Sequence, residues 1–570
     1  LLSSSHHIYI YIYIYIYMSP HLRTEVVGGT IKKGSTAYFY QRRVRERSRR
    51  TPRTFNTPAR VGVQRDPRKE DQLNLRLDVL GPLLREHYPV VPDSSRKNLL
   101  AAFDKRCNFY SDDRADRLVV EHSLKLAERL AGTGQDPIEW TPELFHKWNS
   151  QFKPDKQAKH LKVFPAISEC LVKTFTNKEI FVKVEALLKR HSPDWAPRII
   201  YQSSDIHNAI LGPIMQACTQ RLFKLCALAD SSDSVNYKGA YKASSQELAD
   251  YITRHSEEDS VYVESDFNSN DMTQVRDVHI LEVKWLRLLG APMWVTALML
   301  HANSFAVTAR KYAVAARVTH QLPTGAQSTT FRNSVWNMSI NYSFCLRHGF
   351  RGDTLVLGDD MLMRLDNPWK SRSRCIRRAY EHVCCLARMR ATVFVRRHLS
   401  ECSFLSKNFI MTSYGFVMVP KFGKAVARFN ARASSNEAVS DRAYLAGKAL
   451  SYSYEFRHCP PISRSYYERY LQLVPEGGVS LDGLGWNAKG DFLDLGVKGI
   501  VAAIQTVTHV TSRDDMTRFY HWKYSLTSTD IILLLIASLF GEDDLDEATA
   551  GRIVEDFLAR CLGLRQLIFP

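Results

Sequence analysis

Two short segments in the middle of the chain place carboxylates where metal-assisted phosphoryl chemistry could use them. One reads Val261-Tyr-Val-Glu-Ser-Asp-Phe-Asn-Ser-Asn-Asp-Met-Thr-Gln274. Its β-prone start should deliver Asp266 at a strand end, with Asp271 beyond a turn of Asn and Ser. The other reads Thr354-Leu-Val-Leu-Gly-Asp-Asp-Met-Leu-Met363, two apolar strand-like runs around Gly358-Asp359-Asp360. A tight hairpin there would carry two carboxylates at its tip. Nucleotidyl transfer needs two divalent cations ~3.5–4 Å apart to stabilise the attacking and leaving oxygens. Hard Mg2+ takes carboxylate and phosphate oxygens rather than a full protein cage. Carboxylates on neighbouring strands, ~4.8 Å apart, can bridge such a pair. Asp266 and Asp359 are therefore the expected ligands, with Asp360 accessory. A Gly-Asp-Asp tripeptide by itself also occurs in ordinary turns.

Between these segments lies Thr324-Gly-Ala-Gln-Ser-Thr-Thr-Phe-Arg-Asn333. Gly325 permits unusual backbone angles and close approach to a ligand. Phe331, Val335, Met338, Tyr342 and Cys345 then recur at helical spacing, which predicts a helix with one buried face. Asn333, Asn337 and Asn341 fall on a different face. Asn333, near the helix start, can point into a cleft and pair with Asp271 to hydrogen-bond a ribose 2′-OH. For Asn337 and Asn341, helix packing or solvent contact is the simpler expectation.

The three segments, in this order, resemble motifs A, B and C of the RNA-dependent RNA polymerases of positive-strand RNA viruses: D-x4-D, [ST]-G-x3-T-x3-N and G-D-D. The Asp-Phe-x3-Asp-x-Thr-Gln pattern at 266–274 is similar to alphavirus-like polymerases, and Asn333-Ser-Val-Trp-Asn-Met338 to the hepevirus-like ones. Asn270 departs from the aromatic residue that alphavirus-like enzymes often carry there. The likeness covers roughly residues 170–430.

The resemblance implies Asp266, Asp359 and Asp360 as catalytic metal ligands for Mg2+, with Mn2+ as the alternative ion. It also implies a substrate-binding set of Asp271, Gly325, Ser328, Thr329 and Asn333. Upstream, Phe181-Val-Lys183-Val-Glu185, Lys189, Arg190 and Pro197-Arg198 resemble motif F, whose basic residues grip the incoming triphosphate. Lys offers a point charge and Arg a bidentate fork for phosphate oxygens. Arg390 stands where motif D usually offers a lysine as general acid. Arginine hardly deprotonates, so charge neutralisation is the expected role. Ser403-Phe-Leu-Ser-Lys407 resembles motif E.

The elements that must hold these groups would form an α+β right hand: an antiparallel palm sheet carrying the GDD hairpin, with fingers and thumb. Residues 73–260 would be fingers, 261–430 palm with part of the fingers between motifs A and B, and 431–570 a mainly helical thumb. Residues 1–72 read as a low-complexity and Arg-rich arm. Within it, 8–17 repeat Ile-Tyr just before Met18. Such a repeat is what translated A-U dinucleotides give, with Met18 as the start; the alternative is a β-prone strand. From Gln41 to about Asp71 the composition is too polar to bury a core. Such a segment suits an RNA- or lipid-contacting arm or a solvated tail.

Across the whole chain, Lys and Arg number 77 against 59 Asp and Glu, a formal charge of +18 at pH 7. That excess favours a polyanionic partner, although a basic soluble protein accounts for it equally well. The 11 cysteines are scattered without a C-x2-C pair, as suits a reducing compartment. His382, Cys384, Cys385 and Cys402 match no standard zinc spacing, and packed thiols are the expectation. Ile531–Phe540 is shorter than the ~20 residues a membrane span needs and reads as a buried helix. Residues 553–562 have amphipathic helical spacing, and Gly477, Gly478, Gly483, Gly485, Gly490 and Gly496 with Pro475 predict a long loop at 474–496. No signal-peptide pattern, P-loop, protease triad or methyltransferase signature is found.

The function expected is RNA-templated RNA synthesis, replicating a viral genome from NTPs. A reverse transcriptase or other palm polymerase is the alternative enzyme, and a non-catalytic basic RNA-binding protein the alternative class. The expected partners are RNA template, nascent strand and NTPs, with other viral replication proteins and host membranes, and no stable small-molecule cofactor. The expected location is the host-cell cytoplasm, at membrane-associated replication sites.

Overall fold

A computed structural model describes residues 75–535 except 77, 82–88, 108–112, 170–172, 186, 189–195, 232–234, 257–258, 313, 367–372, 433–438, 475–485, 525, 527–530 and 532–534. The Ile-Tyr tract, the Arg-rich arm, Lys189, Arg190, most of Ile531–Phe540 and residues 553–562 lie outside the described residues.

In chain order, the elements that build the site begin with α1 (Arg117–Ala131), β1 (Asn177–Val182), β2 (Ile199–Gln202), β3 (Val235–Gly239) and β4 (Val261–Phe267). They continue with α2 (Arg276–Leu288), β5 (Ser304–Ala309), β6 (Val314–Thr319), α3 (Thr329–His348), β7 (Arg351–Leu357) and β8 (Asp360–Asp366). Last come α4 (Ser373–Leu386) and β9 (Ala391–Arg396).

The central sheet has the order β9-β4-β8-β7-β3. All its pairings are antiparallel except β7 with β3. It therefore takes in Val235–Gly239, upstream of the boundary that the sequence suggested at residue 261. Alternation along the strands feeds two apolar layers. Val261, Val263, Met361 and Met363 enter the largest core, while Tyr262, Leu355 and Leu362 join a second core on the other face. A second sheet, β6-β5-β1-β2, brings the 304–319 stretch back against residues 177–202.

Helix α3 lies between the central sheet and helices α1, α2 and α4. Every residue from Phe331 to Cys345 is buried, not one face only as the apolar spacing predicted. Periodicity reports only the apolar stripe, whereas α3 is covered on all sides. Its Ser and Asn side chains must then find partners inside.

The end of the sheet away from the carboxylates is locked by ion pairs. Buried Arg364 pairs with buried Asp353 at 2.8 Å, and Asp353 also receives Arg254 at 2.6 Å. A separate core gathers residues between Ile410 and Leu535. There the glycine-rich stretch is not loop throughout: helix Trp486–Gln505 covers its second half, interrupted at Gly496 with φ 66°. No helix of the described residues is long and apolar enough to cross a membrane.

Candidate active site

Strands β7 and β8 form a hairpin in which Leu357 pairs with Asp360, leaving Gly358-Asp359 as a two-residue loop. Gly358 has φ 64°, a left-handed angle that glycine adopts without steric cost. On β8, Met361 pairs with Ser265 of β4. One step further along the same register, Asp360 comes level with Asp266. Asp266 also pairs across to Thr392 of β9.

All three carboxylates reach solvent, although protein crowds around the two on the hairpin. This crowding, followed by the negative charges of Asp360, Asp271 and Asp266, pushes the Asp359 carboxyl up to about 6. The Asp360 carboxyl is raised by loss of hydration and by Asp266, while Lys424 and Lys421 pull it back. Like charges held this close are what a divalent cation relieves. Among the described residues no three His, Cys, Asp or Glu side chains converge into a ready cage. The structure buries Cys384 and Cys402 as packed thiols, whereas Cys385 is exposed and departs from that expectation.

Beside the carboxylates, Asp271 sits in the short helix Asn270–Thr273 after Ser269, whose φ of 54° turns the chain. Asn333 Nδ2 donates to Asp271 Oδ1 at 2.9 Å, and Thr324 Oγ1 donates to Asp271 Oδ2 at 2.5 Å. Gln274 Nε2 donates to Asn333 Oδ1 at 2.7 Å, which fixes the Asn333 amide with its nitrogen toward Asp271. Gly325 has φ 95°, and a Cβ there would meet the Tyr201 carbonyl oxygen at 3.2 Å. Close docking onto β2 is sealed by the Tyr201 N–H, which donates to the Thr324 carbonyl at 2.9 Å. Thr329 donates its hydroxyl to the Ala326 carbonyl at 2.9 Å and so shapes the loop. Ser328 is buried at the start of α3.

The basic groups approach from β1 and β2. Arg198 donates through Nε to Glu185 Oε1 at 2.5 Å and through Nη2 to Glu185 Oε2. Lys183 Nζ stands 3.4 Å from the same carboxylate. Arg198 is held charged first by Glu185, and Asp359 and Asp271 add to that field, so it lies within electrostatic reach of the acidic edge. Arg106, which the sequence did not single out, donates to the carbonyls of Pro197 and Ala196 and so anchors the segment carrying Arg198. Arg390 is exposed, and its carbonyl accepts the Asn268 N–H at 2.8 Å, so its backbone flanks the end of β4.

Several contacts lay beyond sequence reading. Asn337 bonds to the carbonyls of Gly358 and Asp359 at 3.3 and 3.1 Å. It is neither at solvent nor mere packing, because the hairpin loop lies directly on α3. Lys421 and Lys424, spaced by one helical turn, act on Asp360. In the motif E-like stretch, Leu405 and Ser406 both take positive φ between two strands, and Lys407 is tied to Glu455 at 2.8 Å.

Residues 63–446 match the family described as RNA dependent RNA polymerase. No curated protein matches the chain.

Proposed function

The chain belongs to the RNA dependent RNA polymerase family, and from that premise we propose that Asp266, Asp359 and Asp360 hold the metal ions of its nucleotidyl transfer. A viral polymerase of this family synthesises RNA on an RNA template from NTPs, with divalent metal. Mg2+ is the ion that the all-carboxylate edge suits best. When bound, the cations would neutralise charge developing on the attacking 3′-oxygen and on the leaving pyrophosphate.

The remaining groups act by position and charge. Asp271, oriented by Asn333 and Thr324, is the acceptor for the ribose hydroxyls. Lys183 and Arg198 offer their charge to the triphosphate, which competes with Glu185 for them. Arg390 stabilises negative charge without giving up a proton. The observation that carries this reading is the convergence of Asp266 and Asp360 on paired strands with Asp359 in the loop between β7 and β8, beside the Asp271–Asn333 pair.

We read the central sheet, Val235–Gly239 included, as a palm, the rest of residues 73–260 with the 304–319 stretch as fingers, and the chain from 431 as thumb. The alphavirus-like or hepevirus-like subgroup, other replication proteins, and cytoplasmic membrane sites as the place of action belong to this proposal.

Purified protein with Asp359→Asn or Asp360→Asn should lose NMP incorporation by about a hundredfold or more, as expected when a transition-state charge stabiliser is removed. Wild-type rates in both variants would remove the proposed site.

A further inference from the structure

We propose that Asn337, Asn341 and Tyr380 form a buried brace that sets the position of the Gly358–Asp359 turn and ties it to α4. They would be positioning residues, and the inference rests on Asp266, Asp359 and Asp360 being the metal-holding set.

The turn is held from beneath by α3. Gly358 N donates to Ser334 Oγ at 2.8 Å, and the Ser334 hydroxyl in turn donates to the Thr330 carbonyl. Asn337 Nδ2 reaches the carbonyls of Gly358 and Asp359. One turn along α3, Asn341 Nδ2 donates to Asn337 Oδ1 at 3.2 Å. Tyr380 of α4 then donates its hydroxyl to Asn341 Oδ1 at 2.6 Å. Ser334, Asn337, Asn341 and Tyr380 are all buried.

Every bond in this chain points from α4 toward the turn. Rotating either amide would set oxygen against oxygen, so each member fixes the orientation of the next. Buried groups of this kind have no water to fall back on, and a broken link leaves a partner unsatisfied.

Helix α4 also reaches the other side of the site. It leads through Arg388, at φ 60°, into β9, whose Thr392 pairs with Asp266. A single helix therefore holds Asp266 through the sheet and Asp359 through the brace. The direct pairing of β4 with β8 sets their spacing first, and α4 adds a second tie between the same two carboxylates. None of the brace side chains needs to touch nucleotide or metal for this to matter, because outer partners that orient metal-holding groups commonly govern affinity.

The test uses the full chain carrying Tyr380→Phe or Asn337→Ala, with Asp359→Asn as the reference. Five quantities are read: thermal midpoint, kcat, KM for NTP, the Mg2+ concentration giving half-maximal extension, and Mn2+ binding by electron paramagnetic resonance without nucleotide. Asn337→Ala should weaken Mn2+ binding and lower kcat by about tenfold or more, with the KM for NTP little changed. Tyr380→Phe should move the same quantities in the same direction by about threefold to fivefold, the loss expected for one hydrogen bond. Wild-type Mn2+ binding and Mg2+ response in the folded variants would overturn the brace, whatever happens to the melting temperature. If Asn337→Ala does not fold, Tyr380→Phe decides alone. Failure of the underlying site would show differently, as Asp359→Asn retaining both Mn2+ binding and extension.

Discussion

At the scale of single residues, the charge on Asp359 governs how the site responds to pH. Its carboxyl sits at about 6 in the folded chain against an ordinary 3.8. Between those values the folded state holds a proton that the unfolded state has lost. Stability from this group is therefore fully present below about pH 4 and declines as pH rises through about 6. A divalent cation competes for the same oxygens and restores what the charge removes. Thermal melts with and without Mg2+ should show a clear metal-dependent gain near pH 7 that shrinks near about pH 5. An equal gain at both would mean that Asp359 does not hold the ion.

The sugar-facing pair offers a separate handle. Asn333→Ala removes the donor that orients Asp271 but leaves the carboxylates of the hairpin in place. Discrimination between NTP and dNTP should fall by about tenfold, read as the ratio of kcat/KM values, because one charge-assisted hydrogen bond is lost. Unchanged discrimination would move ribose recognition elsewhere.

At the scale of elements, the hairpin of β7 and β8 is stabilised at two ends by different means. Near the active edge it leans on α3, and at the far edge Asp353 joins Arg364 and Arg254 in the interior. Asp353→Ala would leave buried, charged Arg364 with Asp366 as its remaining carboxylate partner. A loss of about 3–5 kcal/mol is expected in urea unfolding. A loss under about 1 kcal/mol would show that Asp366, which also holds Arg364 at 2.8 Å, suffices alone.

Strands β4, β7 and β8 and helix α3 were legible in sequence, since alternation and helical spacing are local signals. So were the place of Asp266 near the end of β4, the pairing of Asn333 with Asp271, and the tight turn at Gly358–Asp359. The brace was not, because Asn337 meets Gly358 across 21 residues and Tyr380 meets Asn341 across 39. Nothing in the spacing of α3 says which neighbour covers its polar face. Lys421, Lys424 and Arg106 escaped for the same reason: their value depends on which loop ends beside the carboxylates. The glycine-rich stretch misled in the opposite sense, its composition suggesting loop where a helix with one break forms.

At the scale of the whole molecule, two sheets and one buried helix assemble groups drawn from residues 183 to 390 around one acidic edge. The net charge of +18 over the whole chain favours a polyanionic partner such as RNA. The family match, from 63 to 446, takes in the whole of that region. The most direct test is extension of a primed RNA template by the purified chain with Mg2+, comparing NTPs with dNTPs and wild type with Asp359→Asn. Template-dependent NMP incorporation that prefers NTPs and collapses in Asp359→Asn is the expected result. A preference for dNTPs, or incorporation that survives Asp359→Asn, would contradict the account.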